Sequence, residues 1–370
     1  MNEEKTMNKT GFGFLRLPRT SDGAIDYDIL NPMVDRFLAL GGTYFDTAYT
    51  YLNGLSEEAL RRSLVERHPR DSFRIADKLP GYMAKTYEDC RRLFDRQLDR
   101  CGVRYFDVYL LHWLNEKHYA IAQELDQFRF LRELKQAGLA KKTGFSYHDS
   151  PELLDRILTD HPEVDYVQLQ INYLDWDSVS IRARECYDVT VKHRKAVIVM
   201  EPVKGGSLAV LPEAAAALLR SAAPEESAAS WAIRFASDLP QVEVTLSGMN
   251  TMAQLLDNMR PFPPLSVEEK QLLRHAAAII RSNTAVPCTG CGYCAPNCPV
   301  GMPIPQYFAL YNDYALDPKH DWKMQHAYDA LSKAHESASD CIGCRRCEDS
   351  CPQKIQITQF LQKVSKAFSE

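Results

Sequence analysis

Two cysteine-rich runs of identical spacing constrain this chain more than anything else in it. Cys288 to Pro299 reads Cys-Thr-Gly-Cys-Gly-Tyr-Cys-Ala-Pro-Asn-Cys-Pro, and Cys341 to Pro352 reads Cys-Ile-Gly-Cys-Arg-Arg-Cys-Glu-Asp-Ser-Cys-Pro. Both keep the spacing C-x2-C-x2-C-x3-C-P, in which three close thiolates wrap one corner of an iron–sulfur cubane and the Pro turns the chain away. Where two such runs occur together, the fourth Cys of each serves the other cluster. On that rule Cys288, Cys291, Cys294 and Cys351 hold one [4Fe–4S] cluster, and Cys341, Cys344, Cys347 and Cys298 hold the other. Zinc and disulfides are the alternatives. Zinc sites use paired C-x2-C and do not need a third Cys at the same interval. Disulfides suit secreted chains, and the start Met1-Asn-Glu-Glu-Lys-Thr is polar and acidic, unlike a leader peptide. Iron–sulfur chemistry is therefore expected.

The other totals set limits. A chain of 370 residues, 45% of them hydrophobic, can bury a sizeable core and is expected to split into two domains. Of its eleven cysteines, eight belong to the two runs. Cys90, Cys101 and Cys186 are left scattered, as small buried or half-buried residues are. A formal net charge of −5 with no basic arm or stripe argues against a nucleic-acid partner. No apolar run approaches the roughly 20 residues of a membrane helix. A cytoplasmic location is expected, where thiols stay reduced and clusters can be assembled.

From Gly11 to about Pro261, short apolar runs alternate with amphipathic ones. The runs of strand length are Gly11–Leu15, Thr43–Asp46, Phe73–Lys78, Phe106–His112, Ala140–Phe145, Asp165–Gln170, Ala196–Glu201 and Val242–Ser247, most of them rich in β-branched and aromatic residues. Helical patterns cover Asp28–Leu40 (with Ile29, Met33, Phe37 and Leu40 on one face), Ser56–Arg67, Thr86–Cys101, Ile121–Ala137, Pro151–Asp160, Ser178–His193, Glu225–Ser237 and Thr251–Met259. Eight strand–helix units in about 250 residues suit a (β/α)8 TIM barrel better than an open sheet. No Gly-x-Gly-x-x-Gly turn follows a strand, which counts against a Rossmann site. Beyond Arg260-Pro-Phe-Pro-Pro264, Val267 to Arg281 reads as a helix. The expected organisation is a barrel over 1–265, a connector helix over 266–285, and a small, mainly α-helical two-cluster ferredoxin-like domain over 286–370. Pro303 to Ala338, between the two runs, reads mostly as helix.

Barrel chemistry sits where strands end at the C-terminal face. Polar residues fall there on successive strands. Asp46 ends the second and Tyr51 follows it by five residues; Lys78 ends the third and His112 the fourth. Ser146 and Gln170 continue the series. An Asp or His at one strand end is more often a cap or a satisfied core group. The series together permits proton donation to a carbonyl. A phenol with a pKa of roughly 10 is a weak acid near neutrality, and an ammonium nearby lowers that value. Lys78 would tune Tyr51, Asp46 would hold Lys78, and His112 would orient the substrate oxygen.

At these residues the chain resembles the aldo/keto reductases. Phe45-Asp46-Thr-Ala-Tyr-Thr-Tyr51 is similar to their Asp-to-Tyr motif, and Lys78 and His112 match the rest of their tetrad. Tyr49 has the wrong spacing and reads as lining. The resemblance implies a nicotinamide cofactor. Its carboxamide would be held by Ser146, from Gly144-Phe-Ser146-Tyr147-His148, and by Gln170. Its pyrophosphate and adenosine would be cradled by Met200-Glu-Pro202-Val-Lys-Gly-Gly206-Ser-Leu208 and Ser247-Gly248-Met-Asn250, with Gln254 and Asn258 beyond. Three features depart from the family pattern. Tyr147 replaces an Asn, Glu201 replaces a stacking aromatic, and Ser247 to Asn258 contains no Lys or Arg for an NADPH 2′-phosphate. NADH is therefore slightly favoured within NAD(P)H. The whole chain resembles the subfamily with a C-terminal domain carrying two clusters.

Two functions are compatible with these residues. One is reversible reduction of a small carbonyl, or oxidation of an alcohol, with clusters that are structural or exchange electrons with a redox partner protein. The other is an electron-transfer or redox-sensing protein whose barrel binds nucleotide with little turnover. A hydride carries two electrons and a cluster passes one, so a direct relay is mismatched, and no flavin signature stands out.

Overall fold

The computed structural model describes residues 9–178, 181–316 and 321–368. Parts of the expected helices Ser178–His193 and Pro303–Ala338 lie outside those residues. Eight parallel strands close into a barrel in sequence order. They are β1 (Thr10–Gly13), β2 (Tyr44–Asp46), β3 (Arg74–Leu79), β4 (Phe106–Leu114), β5 (Ala140–Tyr147), β6 (Tyr166–Gln170), β7 (Ala196–Met200) and β8 (Val242–Ser247). Each expected run forms a strand.

Side chains alternate across a strand, and the alternation sorts this barrel into two apolar layers. Phe12, Phe45, Ile75, Val167 and Val197 pack outward with the helices. Tyr44, Ala76, Leu110, Tyr166, Ile198 and Leu246 form a separate inner cluster. Two residues beyond Tyr44, Ala76 and Leu110 stand Asp46, Lys78 and His112. Parity therefore turns all three towards the barrel interior.

The helices depart from expectation in four places. In Tyr27–Ala39 the buried face is Leu30, Met33, Val34 and Phe37, while Ile29 is 43% exposed. Met33 and Phe37 thus lie on the expected face, with Leu30 and Val34 beside them in place of Ile29. Ile121–Ala137 is two helices, Glu116–Glu124 and Gln127–Gln136, broken at Asp126 with φ 49°. A left-handed residue cannot continue a right-handed helix. After Leu55–Leu60 the chain widens into a π-turn at Arg61–Val65. Glu213–Ala222 is a helix the sequence reading passed over, although Pro-Glu followed by an alanine run is a good start and body for one.

The chain forms two compact units. One is the barrel with most of its helices. The other gathers residues from Val267 on together with Lys204–Ala228, a stretch the expected boundaries assigned to the barrel. Within this second unit, helix Val267–Ser282 packs on helix Glu213–Ala222. Its cysteine-rich part is helical, with Ile304–Leu316, Asp321–Ala334, Arg346–Asp349 and Ile357–Ala367. Val286, Met302, Tyr307, Phe308, Leu361 and Val364 belong to its core, beside Cys294, Cys347 and Cys351. No helix among the described residues is long and apolar enough to cross a membrane.

Candidate active site

Lys78 is 1% exposed and donates from Nζ to Asp46 Oδ1 at 2.6 Å and to the Thr47 carbonyl at 2.8 Å. Its main chain is clamped as well. The Lys78 amide donates to Asp77 Oδ1 at 2.7 Å, and Gln97 Nε2 donates to the Lys78 carbonyl at 3.1 Å. Tyr51, in the short 3-10 turn Tyr51–Gly54, lies with its ring centre 5.0 Å from Lys78 Nζ. Its ring stands nearly perpendicular to that of His112, 5.8 Å away. Asp46, Tyr51, Lys78 and His112 are therefore brought together.

Burial dominates the electrostatics. It pushes the Tyr51 phenol well above its ordinary range, and the charges of Asp46 and Asp77 add to the effect. Burial outweighs whatever lowering the Lys78 ammonium exerts on the phenol. The ammonium faces the ring, and the phenol stays a protonated donor. Burial also pushes His112 well below its ordinary value, helped by the charge of Lys78. The imidazole is neutral at pH 7, and its Nδ1 is buried without a protein partner.

Ser146 Oγ accepts the Trp113 amide at 2.7 Å, and Trp113 holds φ 61° to make that contact. Gln170 Nε2 donates to Asp175 Oδ2 at 2.8 Å, which Asn172 Nδ2 also reaches at 2.8 Å. Pro202 is buried on the turn after β7. Ser247 accepts from Asn258 Nδ2 at 2.9 Å, and the Asn250 amide donates to Gln254 Oε1 at 2.8 Å. Asn258 is buried and braces the β8 end. Gly206, with φ 102°, and the buried Leu208 belong to the second unit.

Tyr49 does not line this site. Its hydroxyl accepts from Arg96 at 3.0 Å and its ring lies 4.6 Å under the Arg100 guanidinium, both on the outer helix Tyr87–Cys101. Tyr147 also turns away, its hydroxyl bonded to the Ser150 carbonyl at 2.5 Å and its ring in the outer core. Four neighbours escaped the sequence reading. Tyr82 stacks on His118 at 4.8 Å and meets Trp113 edge-on at 5.8 Å, extending the aromatic surface beside His112. Arg16 packs its stem on Gly248, where a Cβ would lie 3.3 Å from Arg16 Cβ. Trp113, adjoining His112, was the only one with a sequence signal.

In the second unit, Cys288, Cys291, Cys294 and Cys351 line one cavity of about 320 Å³, open solvent included, with Ile304, Phe308, Ile355 and Ile357. The Cys294 thiol is pushed up to about 12 by burial, then by Cys291, Cys288 and Cys351. Cys347 is likewise pushed up to about 12, by burial first, with Glu348, Cys298 and Cys341 among the other causes. Each run thus has the other run's fourth cysteine beside it. Asn297 and Ser350, which precede those crossing cysteines, are joined by a 2.7 Å hydrogen bond. Gly290 and Gly343, at the same place in each run, hold φ 65° and 71°.

The width of these cages bears on their occupant. Thiolates on one tetrahedral zinc lie ~3.8 Å apart, from the Zn–S length of about 2.3 Å. Among the described residues, only Glu57, Asp77 and Cys101 bring three candidate ligand atoms within 4.8 Å of one another. Neither cysteine set closes that far, and none of the eleven cysteines forms a disulfide. The sets fit a cluster better than a single ion or a disulfide.

Residues 9–277 match the family model described as "Aldo/keto reductase family", and residues 284–355 match that of a "4Fe-4S dicluster domain". An "Aldo-keto reductase" of Mycobacterium avium (strain 104) is 27% identical over 165 residues, 44% of this chain and 52% of that protein. The chain thus spans about half the length of that curated relative. Among solved structures, the holo form of an aldo-keto reductase from Bacillus halodurans aligns with a TM-score of 0.60 at 22% identity, covering 72% of this chain and 91% of that one. An aldo/keto reductase from Klebsiella pneumoniae in complex with NADP and acetate gives 0.59 at 18%, covering 72% and 90%. The structural likeness is one of fold.

Proposed function

Because the chain belongs to the aldo/keto reductase family, we propose that it reduces a small carbonyl, or oxidises the matching alcohol, with NAD(P)H, and carries two [4Fe–4S] clusters. The observation that carries the reading is the buried Asp46–Lys78 pair beneath Tyr51 and His112, at the C-terminal ends of β2, β3 and β4. The nicotinamide, when bound, supplies the hydride. Tyr51 donates the proton to the carbonyl oxygen. Lys78, held by Asp46, supplies the positive field that favours the phenolate left behind. Neutral His112 hydrogen-bonds the same oxygen and orients it. Positioned proton transfer of this kind contributes about 10²–10⁴-fold. Ser146 and Gln170 would hold the carboxamide.

Cys288, Cys291, Cys294 and Cys351 would ligate one cluster, and Cys341, Cys344, Cys347 and Cys298 the other. Cysteines in these numbers without disulfides suit a reducing cytoplasm. A redox partner protein would exchange single electrons with the clusters. NADH is proposed to bind at least as well as NADPH, since Ser247 to Asn258 offers no cation for a charge-assisted bond to the 2′-phosphate.

The deciding experiment is Tyr51→Phe, assayed with small aldehydes and quinones under strict anaerobiosis. The proton donor acts in the transition state, so kcat should fall by at least about 10²-fold while nicotinamide affinity holds. Wild-type kcat in the variant, on a substrate turned over through nicotinamide, would sink the assignment. It would leave the barrel as a nucleotide-binding scaffold for a redox-sensing domain.

A further inference from the structure

Two more carboxyl groups are buried close to Lys78, and the proton transfer set out above uses neither. Glu57, from helix Leu55–Leu60, and Asp77, from β3, are both 0% exposed. Asp77 Oδ1 accepts the Lys78 amide at 2.7 Å, and the Cys101 thiol donates towards Asp77 Oδ2 from 3.7 Å. Arg100 Nη1 donates to Glu57 Oε2 at 3.0 Å. One oxygen of each acid and Cys101 Sγ lie within 4.8 Å of one another. Glu57 Oε1 is buried without a donor among the described residues, and Gln97 beside it gives its amide to the Lys78 carbonyl at 3.1 Å.

Counting charges decides the state of the pair. Asp46, Glu57 and Asp77 are three acids, and Lys78 and Arg100 are two cations. Lys78 is paired with Asp46 and Arg100 with Glu57, while among the described residues no ion pair reaches Asp77. A buried charge without a counter-ion is costly enough that the group neutralises instead, and two carboxylates sharing one site cannot both stay ionised. Burial pushes both acids up, with Arg100 pulling Glu57 back and the Glu57 charge pushing Asp77 further. The Cys101 thiol and the Tyr109 phenol are also pushed well up by burial, so neither is charged at pH 7. We propose that Asp77 is held as a neutral acid, that its proton bridges to Glu57 Oε1, and that the pair positions Lys78 while keeping a negative charge away from Tyr51. An ionised Asp77 is one of the charges that oppose loss of the Tyr51 proton. The functional half of this inference rests on the reading of Tyr51 as the donor; the proton count does not.

The test is isotope-edited infrared spectroscopy of the anaerobic, full-length protein at pH 7. The wild type should show a carboxylic-acid C=O band that moves when the aspartate carboxyls carry carbon-13 and that is missing from Asp77→Asn. Glu57→Gln removes the like charge and frees Arg100, so Asp77 should ionise and the same band should vanish although Asp77 is still present. A residue that only fills space would not respond in that way. Glu57→Gln also moves the negative charge onto Asp77, so kcat should fall by about tenfold, the equivalent of one pKa unit at the donor, while nicotinamide affinity holds. Asp77→Asn, a neutral donor and acceptor in the same place, should keep more of kcat than Glu57→Gln does. If Glu57→Gln fails to fold, the labelled wild type and Asp77→Asn still decide the proton. A wild type without the band overturns the proposal, as does a band that moves only with labelled glutamate. So does a metal ion counted beyond the cluster iron and lost in Cys101→Ser, because carboxylate and thiolate ligands bind deprotonated. Unchanged kcat in a Glu57→Gln protein that has lost the band overturns the functional half. A band in a protein that turns over no carbonyl fails the reading of Tyr51 and upholds the shared proton.

Discussion

At the residue scale the site is set by two buried groups whose protonation the fold controls. Asp46 keeps its carboxylate against Lys78 at 2.6 Å with both side chains almost wholly buried. Lys78→Met should therefore cost about 3–5 kcal/mol of stability in denaturant melts, because it strands a charge. Adding Asp46→Asn to the same chain should recover part of that loss. His112 is held neutral, its folded pKa below the ordinary 6.5. Above about pH 6.5 both states are neutral and its contribution to stability is complete; as pH falls, the unfolded chain takes the proton first and stability drops. Thermal melts of His112→Gln should accordingly lose part of the wild-type slope between about pH 6.5 and 5. Asp46, Lys78 and His112 were legible from their places at successive strand ends, and the alternation of the strands accounts for their inward direction, since each follows an inner-cluster residue by two. The direction of Tyr49 and Tyr147 was not legible, because it depends on Arg96, Arg100 and the Ser150 carbonyl. Arg16 was invisible for a simpler reason. It meets Gly248 from the other end of the barrel sequence. If calorimetry finds NADPH tighter than NADH by about tenfold, roughly 1.4 kcal/mol, Arg16→Met is the variant expected to abolish the difference.

At the scale of elements, periodicity identified the strands and most helices but set the phase and continuity of helices less well. Ile29 fits an apolar stripe as well as Leu30 does by spacing, and only packing against Met33, Val34 and Phe37 decides between them. Asp126 interrupts a stretch of good helix formers through one left-handed residue, a choice made by tertiary contacts. The cysteine runs are a stricter case. Gly290 and Gly343 occupy matching positions with positive φ, and Gly292 with φ 80° matches Arg345 with φ 60°. A β-branched residue is a poor fit to such a conformation. Gly343→Val should lower iron and sulfide content in the anaerobic protein, measured against a Gly138→Val control at a surface turn. Equal loading of Gly343→Val and wild type would contradict the need for that turn.

At the scale of the whole molecule, the second unit is not one continuous stretch of chain, because Lys204–Ala228 leaves the barrel sequence to join it. Helix Glu213–Ala222 buries Ala215 and Leu219 within that unit, where helix Val267–Ser282 packs on it. A chain stopped after Ser266 would leave that helix bare, and is expected to melt at a lower temperature than the full chain and to bind more of a hydrophobic dye. The interleaving also has a consequence during synthesis. Lys204 precedes its partner Gln353 by 149 residues. At about 5–20 residues per second on the ribosome, that separation lasts about 7–30 s. For that interval the nascent Lys204 has no Gln353 to meet, although helix Val267–Ser282 reaches helix Glu213–Ala222 sooner, so translation speed sets how long the turn at Lys204 depends on chaperones.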